Sequence, residues 1–354
     1  MVAPIFCVNS EGQVQALGTL VPVRPEGFVM VQADGAALHS DGLPWWLFDM
    51  RPQGYLGRAY ASAHAAGLGL PPNPEHWRDA DVIRALLAHG HDAIGNLLIG
   101  ERARDRFIAM PAPLPVDRAV DYPALARAVG AGELAGSSAG GEQPKFCCLD
   151  GQGHCWIVKF SPADNNPVAE RIRLLLCCEY LALRTLHAAG QPVAHTQLYE
   201  RAGRVFLAVQ RFDRPAAPVL GQAPGRIGMV SLESFNAEFV GTADQWAKTA
   251  QRLQDQGRMS AADAQRLKLW DAFGQLIANT DRHYGNVSLL WNGKRWELAP
   301  CYDMLPMRFM PVQGEVPVWQ WDMDAVQPSA ATLAVWQEAR ALAQQFWQHV
   351  AALP

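Results

Sequence analysis

The sequence carries little charge and no excess of either sign. Only 18% of its 354 residues are charged, with 30 Lys and Arg against 34 Asp and Glu. A stand-alone nucleic-acid binder ordinarily shows a basic surplus, so direct nucleic-acid binding is not expected. No stretch approaches the ~20 consecutive apolar residues of a membrane span, and no membrane association is expected. The start, Met1-Val2-Ala3-Pro4-Ile5-Phe6-Cys7, lacks both a basic n-region and a long apolar run. That argues against a signal peptide and for a cytoplasmic protein. The seven cysteines contain no C-x-x-C, their number is odd, and Cys147-Cys148 and Cys177-Cys178 are adjacent pairs, which rarely bridge one another. Reduced, mostly buried thiols are therefore expected in preference to a disulfide framework or zinc site. Internal repeats and low-complexity tracts are also lacking.

What is present is an ordinary globular composition, 49% hydrophobic, with a high count of 12 Trp. That excludes wholesale disorder, and the length calls for two lobes with substantial cores. The first ~65 residues mix short apolar runs with Gly and Pro and read as strands. Residues 75–99 look helical, with Leu86, Leu87 and Ile94 on one stripe, and Pro111, Pro113 and Pro115 make a connector. A short helix follows over 121–135. Lys145-Phe146-Cys147-Cys148-Leu149, then Asp150-Gly151, then Trp156-Ile157-Val158-Lys159-Phe160 read as a hairpin. Asn166 and Pro167 supply an N-cap and first-turn proline for a helix running to Gly190. Strands at 196–200 and 204–210 precede a Pro- and Gly-rich linker over 215–228, beyond which helices dominate, at 233–240, 243–256, 260–280 and 330–352. An α+β fold with a strand-rich N-terminal part (1–115), a mixed core (116–215) and a helical part (216–354) is predicted.

Four segments carry chemistry. Asn279-Thr280-Asp281-Arg282-His283-Tyr284-Gly285-Asn286 places an aspartate and an asparagine five apart, and Asp303 follows Asn286 by seventeen residues across a candidate hairpin. Phosphoryl transfer of kinase type needs a carboxylate at the attacking hydroxyl, an amide oxygen for Mg²⁺, and a second carboxylate from a strand end. Hard oxygen donors suit that ion. Alone, the D-x-x-x-x-N spacing is equally a polar loop at a helix end. Gly136-Ser137-Ser138-Ala139-Gly140-Gly141-Glu142-Gln143-Pro144-Lys145 is a small-residue loop whose N–H groups suit a phosphate, although it matches neither common phosphate-loop pattern. Lys159, inside an apolar strand, either snorkels to solvent or meets anions, with Glu170 and Glu179 of the next helix as possible partners. Gln210-Arg211-Phe212-Asp213-Arg214 ends a strand just before the linker, where an adenine would find main-chain partners. Glycine loop, strand lysine, helix glutamate, hinge, D-x-x-x-x-N and hairpin aspartate come in the order of the parts of a kinase.

These words resemble the HipA family of bacterial serine/threonine kinases, toxins of type II toxin–antitoxin modules. The resemblance spans residues 136–305 and is similar in its Gly-Ser-Ser-Ala-Gly-Gly-Glu-Gln-Pro-Lys form to the YjjJ-like branch. It implies a two-lobed, protein-kinase-like (HipA-like) fold that uses ATP and Mg²⁺. Asp281 would be the catalytic base, with His283 beside it in the catalytic loop, and Asn286 and Asp303 the Mg²⁺ ligands. Lys159 and the loop residues Ser138, Ala139, Gly140 and Gly141 would meet the phosphates. Gln210 and Phe212 would offer main-chain contacts to adenine, and Asp213 would reach the ribose. Ser138 matches the family's autophosphorylated serine, with Ser137 adjacent. Two departures stand out: Ala278 where glycine is usual, and Tyr284-Gly285 before Asn286. The resemblance implies a protein substrate in translation, such as an aminoacyl-tRNA synthetase, and a separate DNA-binding antitoxin. A small-molecule phosphotransferase and a catalytically silent binding protein are the alternatives. The dense acidic pocket the first needs is not visible, and intact Lys159, Asp281, Asn286 and Asp303 weigh against the second.

Overall fold

A computed structural model of the protein describes residues 2–24, 27–110, 115–130, 143–215 and 225–353. The chain forms two compact units, Met1–Ile157 with Arg211–Val230 and Val158–Gln210 with Ser231–Pro354. This differs from the linear division at 115 and 215. Proline-rich stretches mark loops, whereas compact units follow burial, and the segment after Gln210 is buried with the first unit.

In the first unit, β1 (Ala3–Val8), β2 (Val14–Val23), β3 (Gly27–Gln32) and β4 (Ala37–Asp41) form an antiparallel meander. The predicted strands end there, because α1 (Gly54–Leu68) follows within the region read as strands. Its Leu56, Tyr60, Ala61 and Ala65 are buried at helical spacing, a signal diluted by flanking glycines. The helix predicted over 75–99 is shorter than expected. It is α2 (Asp79–His89), and Leu97–Ile99 is instead a strand, β5, which pairs with β1 to give the order β4-β3-β2-β1-β5. Gly90 and the left-handed Gly95 (φ 76°) separate the two elements. Ile5, Leu20 and Met30 of the sheet pack with Tyr60, Ala61, Val82, Ile83 and Leu86 of the helices. Each such large side chain removed from water contributes roughly 1.5–3 kcal/mol. Only glycine fits at 18, where a Cβ would lie 2.2 Å from the Val31 carbonyl oxygen.

The unit continues through α3 (Glu101–Ala109), α4 (Asp121–Gly130) and β6 (Lys145–Leu149), and the chain leaves it within β7 (Cys155–Phe160). The loop between β6 and β7 is longer than a two-residue Asp-Gly turn. Asp150 accepts from the backbone N–H groups of Gln152 and His154, both at 2.9 Å, and so organises the whole connection. A buried ionic cluster holds the hinge to this unit. Asp213 accepts from Arg211 Nε (2.9 Å) and Nη2 (2.8 Å) and from Arg214 Nη1 (2.6 Å). Arg214 in turn donates to the carbonyls of Gly95 (2.9 Å) and Ala93 (2.6 Å).

The second unit contains the end of β7, α5 (Pro167–Ala188), β8 (Thr196–Arg201) and β9 (Arg204–Gln210). Asn166 caps α5 by accepting from Ala169 N–H at 2.9 Å, and Gly190 (φ 75°) follows its end, as the cap residues predict. A two-residue turn with both residues left-handed, Ala202 (φ 50°) and Gly203 (φ 71°), sets the β8–β9 register. After β10 (Met229–Ser231), the unit resumes with α6 (Leu232–Phe239), α7 (Trp246–Asp255) and α8 (Ala261–Leu276). The hairpin β11 (Ser288–Trp291) and β12 (Trp296–Leu298) and the helix α9 (Trp336–Ala351) complete it. The seven cysteines are free thiols, and no described helix is long and apolar enough to cross a membrane.

Burial alone would raise the Asp213 carboxyl, but Arg211 and Arg214 beside it hold it well below the usual carboxylate range. Asp213→Ala removes the buried anion that two buried guanidinium groups share, leaving partly exposed Asp92 at 3.5–4.0 Å from them, and should cost about 3–5 kcal/mol. The native carboxyl titrates below its unfolded value. Its contribution is therefore full above about pH 4 and lost as pH falls through the depressed native value. Urea midpoints of wild type and variant should differ most at neutral pH and converge on acidification.

Candidate active site

The residues expected at the nucleotide and the metal meet within the second unit. Lys159 lies on β7 with its ammonium between two carboxylates. It donates to Glu179 Oε1 and Oε2 at 2.7 and 2.8 Å and to Asp303 Oδ1. Of the two glutamates weighed as partners, Glu170 is exposed in the first turn of α5, whereas Glu179 is fully buried. Glu179 belongs to the stripe of Leu175, Leu176, Ala182, Leu183 and Leu186 that faces the core. A carboxylate on that apolar stripe is the signal that distinguishes it. Burial pushes the Lys159 amine down, but the charges of Asp303 and Glu179 outweigh this and hold it above its ordinary range. The lysine is therefore a fixed cation at neutral pH.

Asp303 reaches this pair through an unusual backbone. Its φ of 52° is left-handed, a conformation that costs a non-glycine residue roughly 1–2 kcal/mol. The neighbouring chain is held firmly. Cys301 bridges Val193 in parallel register, with Ala194 N–H donating to the Cys301 carbonyl at 2.9 Å. Tyr302 donates its hydroxyl proton to the Gly285 carbonyl at 3.0 Å, which brings the residue before Asp303 against the residue before Asn286. The predicted hairpin between them is β11–β12, with Leu289 opposite Leu298 and Trp291 opposite Trp296.

The loop bearing Asp281 leaves α8 through Ala278, buried and left-handed at φ 60°. Glycine would carry no strain there, so alanine at 278 places a strained backbone immediately before the Asn279–Asn286 segment. Asn279 Oδ1 accepts from Asp281 N–H at 3.0 Å, and Asn286 Nδ2 donates to the Asp281 carbonyl at 2.9 Å. The aspartate backbone is thus gripped from both sides while its side chain stays 49% exposed, where a substrate can reach it. Because the Asn286 amide nitrogen is engaged, its oxygen is the end left for a cation. His283 Nδ1 accepts from Gly285 N–H at 3.1 Å, and its Nε2 stands 3.8 Å from Asp281 Oδ2. That places His283 in the loop's own framework, beside the Asp281 carboxylate, and a side chain at 285 would strike its ring at 2.9 Å.

Further contacts that hold the loop were missed in the sequence. Arg282 turns back to buried Asp271 of α8 (Nε to Oδ1, 3.1 Å) and also donates to the Asn279 carbonyl. It crosses α8 at Gly274, where a Cβ would lie 2.7 Å from its Cδ. Tyr284, the second departure from the pattern, receives Asp244 N–H at 2.6 Å and pairs with Thr249 Oγ1 of α7 at 2.6 Å. A glycine in a helix interior seven residues before an aspartate-arginine pair was the available signal for the first contact; the second had none.

Other expected residues are placed differently. Ser137, Ser138, Ala139, Gly140 and Gly141 lie outside the described residues. In the second unit, the Gln210 N–H already donates to the His195 carbonyl at 2.8 Å, which leaves the carbonyl as its main-chain group for a ligand. In the first unit, Phe212 is half-buried. Asp213, expected at a ribose, has both carboxylate oxygens engaged by Arg211 and Arg214 and is 3% exposed, a structural position. For Mg²⁺, Asp303 and Asn286 offer a carboxylate and an amide oxygen, 17 residues apart in sequence and joined through Tyr302. Two protein donors with room for water and phosphate oxygens fit that ion.

Comparison with known proteins agrees with this geometry. The family described as YjjJ-like toxin, middle domain, matches residues 1–108, and the HipA-like C-terminal domain matches residues 137–352. The chain is 36% identical to Toxin YjjJ of Escherichia coli (strain K12), covering 99% of this chain and 80% of that protein. Among solved structures, it superposes with a TM-score of 0.60 on a chain of the Shewanella oneidensis complex of HipA, HipB and operator DNA. That match covers 99% of this chain and 91% of the other at 15% identity, and it establishes the fold. The predicted α+β, two-lobed, kinase-like architecture of HipA type is the one observed.

Two outcomes follow from the buried contacts. Lys159→Ala would strand the Glu179 carboxylate, so it should cost about 3–5 kcal/mol; the snorkelling lysine weighed from the sequence would have cost little. A Lys159→Ala/Glu179→Gln double variant should regain part of that loss, read from thermal midpoints. Gly274→Ala should displace Arg282 and accelerate amide hydrogen exchange over 279–286 on the order of tenfold, the loss of one charged hydrogen bond. Exchange in β8 and β9 should stay unchanged.

Proposed function

The chain belongs to the HipA-like toxin family, on its YjjJ-like branch, and from this we propose that it is an ATP- and Mg²⁺-dependent serine/threonine protein kinase. The observation that carries this reading is the Lys159–Glu179–Asp303 network, with exposed Asp281 and Asn286 on the loop tied to it. A buried lysine fixed by a helix glutamate is a positioned point charge for nucleotide phosphates.

In the proposed reaction, Asp281 accepts the proton of the attacking hydroxyl. Its backbone, gripped by Asn279 and Asn286, gives the carboxylate one address, and its exposure leaves space for a polypeptide. Positioning of this kind supplies much of the barrier reduction in phosphoryl transfer. Asn286 and Asp303 would hold Mg²⁺, which when bound neutralises charge on the transferring phosphates. Lys159 orients the phosphates and balances the Asp303 charge. Ser138, Ala139, Gly140 and Gly141, with Ser138 as the proposed autophosphorylation site, would complete the phosphate side.

We further propose that the target is a protein of the translation machinery, such as an aminoacyl-tRNA synthetase, and that the outcome is growth arrest. A separate DNA-binding antitoxin is the proposed partner, the structural neighbour being one in complex with HipB and operator DNA.

Incubation with γ-labelled ATP and a bacterial lysate tests the reading. Wild type should label protein in a Mg²⁺-dependent manner, and Asp281→Asn should lower the rate by about 100-fold or more, the scale of general-base effects. Thermal midpoints should match, since the Asp281 side chain is half-exposed. Wild-type rates in a folded Asp281→Asn protein would defeat the mechanism.

A further inference from the structure

We propose that Tyr302 is a positioning residue for the metal site, its hydroxyl setting the separation of the two donors Asn286 and Asp303. The inference rests on the function proposed above and adds a residue to it.

Tyr302 immediately precedes Asp303, and its hydroxyl meets Gly285, immediately before Asn286, at 3.0 Å. The same oxygen lies 2.7 Å from Ser288 Oγ. A carbonyl only accepts, so the single phenolic proton goes to Gly285 and the buried Ser288 hydroxyl donates to Tyr302. The phenol thus joins both ends of a 17-residue excursion at one point.

Lys159 holds the Asp303 carboxylate and the Asp281 carbonyl holds the Asn286 amide, each donor separately, and main-chain restraints on the excursion act at its base and at Cys301. The base of the hairpin is closed by Ala299 N–H to the Ser288 carbonyl at 2.9 Å. Cys301 is held from the other side by the carbonyl of Pro192 at 3.0 Å and the N–H of Ala194 at 2.9 Å. Beyond Cys301 the backbone turns into the left-handed conformation of Asp303. A left-handed aspartate costs energy, so the position needs external restraint. The Tyr302 hydroxyl supplies it where it matters, between the two donors. A phenylalanine would fill the same space, and only the hydroxyl makes the tether. Groups that orient metal ligands from behind commonly change metal affinity by about 10–100-fold when removed.

The test compares wild type, Tyr302→Phe and Ser288→Ala. Mn²⁺ serves as the paramagnetic probe for the Mg²⁺ site and is titrated by electron paramagnetic resonance with a non-hydrolysable ATP analogue present. Tyr302→Phe should bind Mn²⁺ about 10-fold more weakly or worse. Its nucleotide affinity without metal should be unchanged, and saturating Mg²⁺ should restore turnover, so the metal requirement rises while kcat holds. Ser288→Ala keeps the bond to Gly285 and should retain Mn²⁺ affinity within about threefold, less than one net hydrogen bond. Unchanged Mn²⁺ affinity in Tyr302→Phe, beside a wild type that binds the ion, overturns the inference alone. Equal weakening in both variants overturns it too, because that reports general packing. A wild type that binds no Mn²⁺ with nucleotide overturns both this inference and the function it rests on.

Discussion

A single buried ammonium ties the second unit together. Lys159 of β7, Glu179 of α5 and Asp303 beyond β12 are separated by up to 144 residues in sequence, yet one charge joins them. Placing that charge in the interior is costly, and the cost is offset only while both carboxylates remain in place. The strand, the helix and the segment bearing Asp303 therefore hold their mutual positions as one unit. An oily core would have bound them more cheaply but would not have fixed the direction of any polar atom.

The loop around Asp281 solves a different problem. It must leave its carboxylate in water while allowing its backbone no freedom. Six polar contacts, from Asp271, Asn279, Asn286, Asp244, Thr249 and Gly285, meet the loop from α8, α7 and its own turns. Most involve main-chain atoms, which lack rotamer freedom, so the loop is shaped with little ordering of long side chains. Gly274 contributes by absence: it leaves the gap through which Arg282 crosses.

The sequence revealed these parts unevenly. Helix α5 was readable because Asn166, Pro167 and Gly190 mark its ends. The order of lysine, D-x-x-x-x-N and aspartate was readable because polar residues in apolar surroundings stand out. Helix α1 escaped because only Leu56 and Tyr60 of its stripe are large, with Ala61 and Ala65 completing it among glycines, too weakly apolar to compete with the strand-like run before it. Asp213 was placed at a ligand because its neighbours mark a hinge, yet its two arginine partners consume it, a pairing that spacing alone does not reveal. The anchors Asp271, Thr249 and Tyr302 act through space on residues distant in sequence, and no local pattern announces them. The division into units was hidden for the same reason, since two of the three crossings fall within strands β7 and β10 and the third at the end of β9.

The left-handed backbone at Asp303 bears on how this protein can change over generations. Glycine would relax the backbone at that position, but would delete the carboxylate that Lys159 and the proposed metal site require. Asparagine tolerates the same conformation and would leave the buried lysine with one charged partner in place of two. Every substitution that eases the backbone thus removes the charge. Backbone ease and charge pairing pull this residue in opposite directions, so thermostable descendants must find their gains elsewhere in the fold.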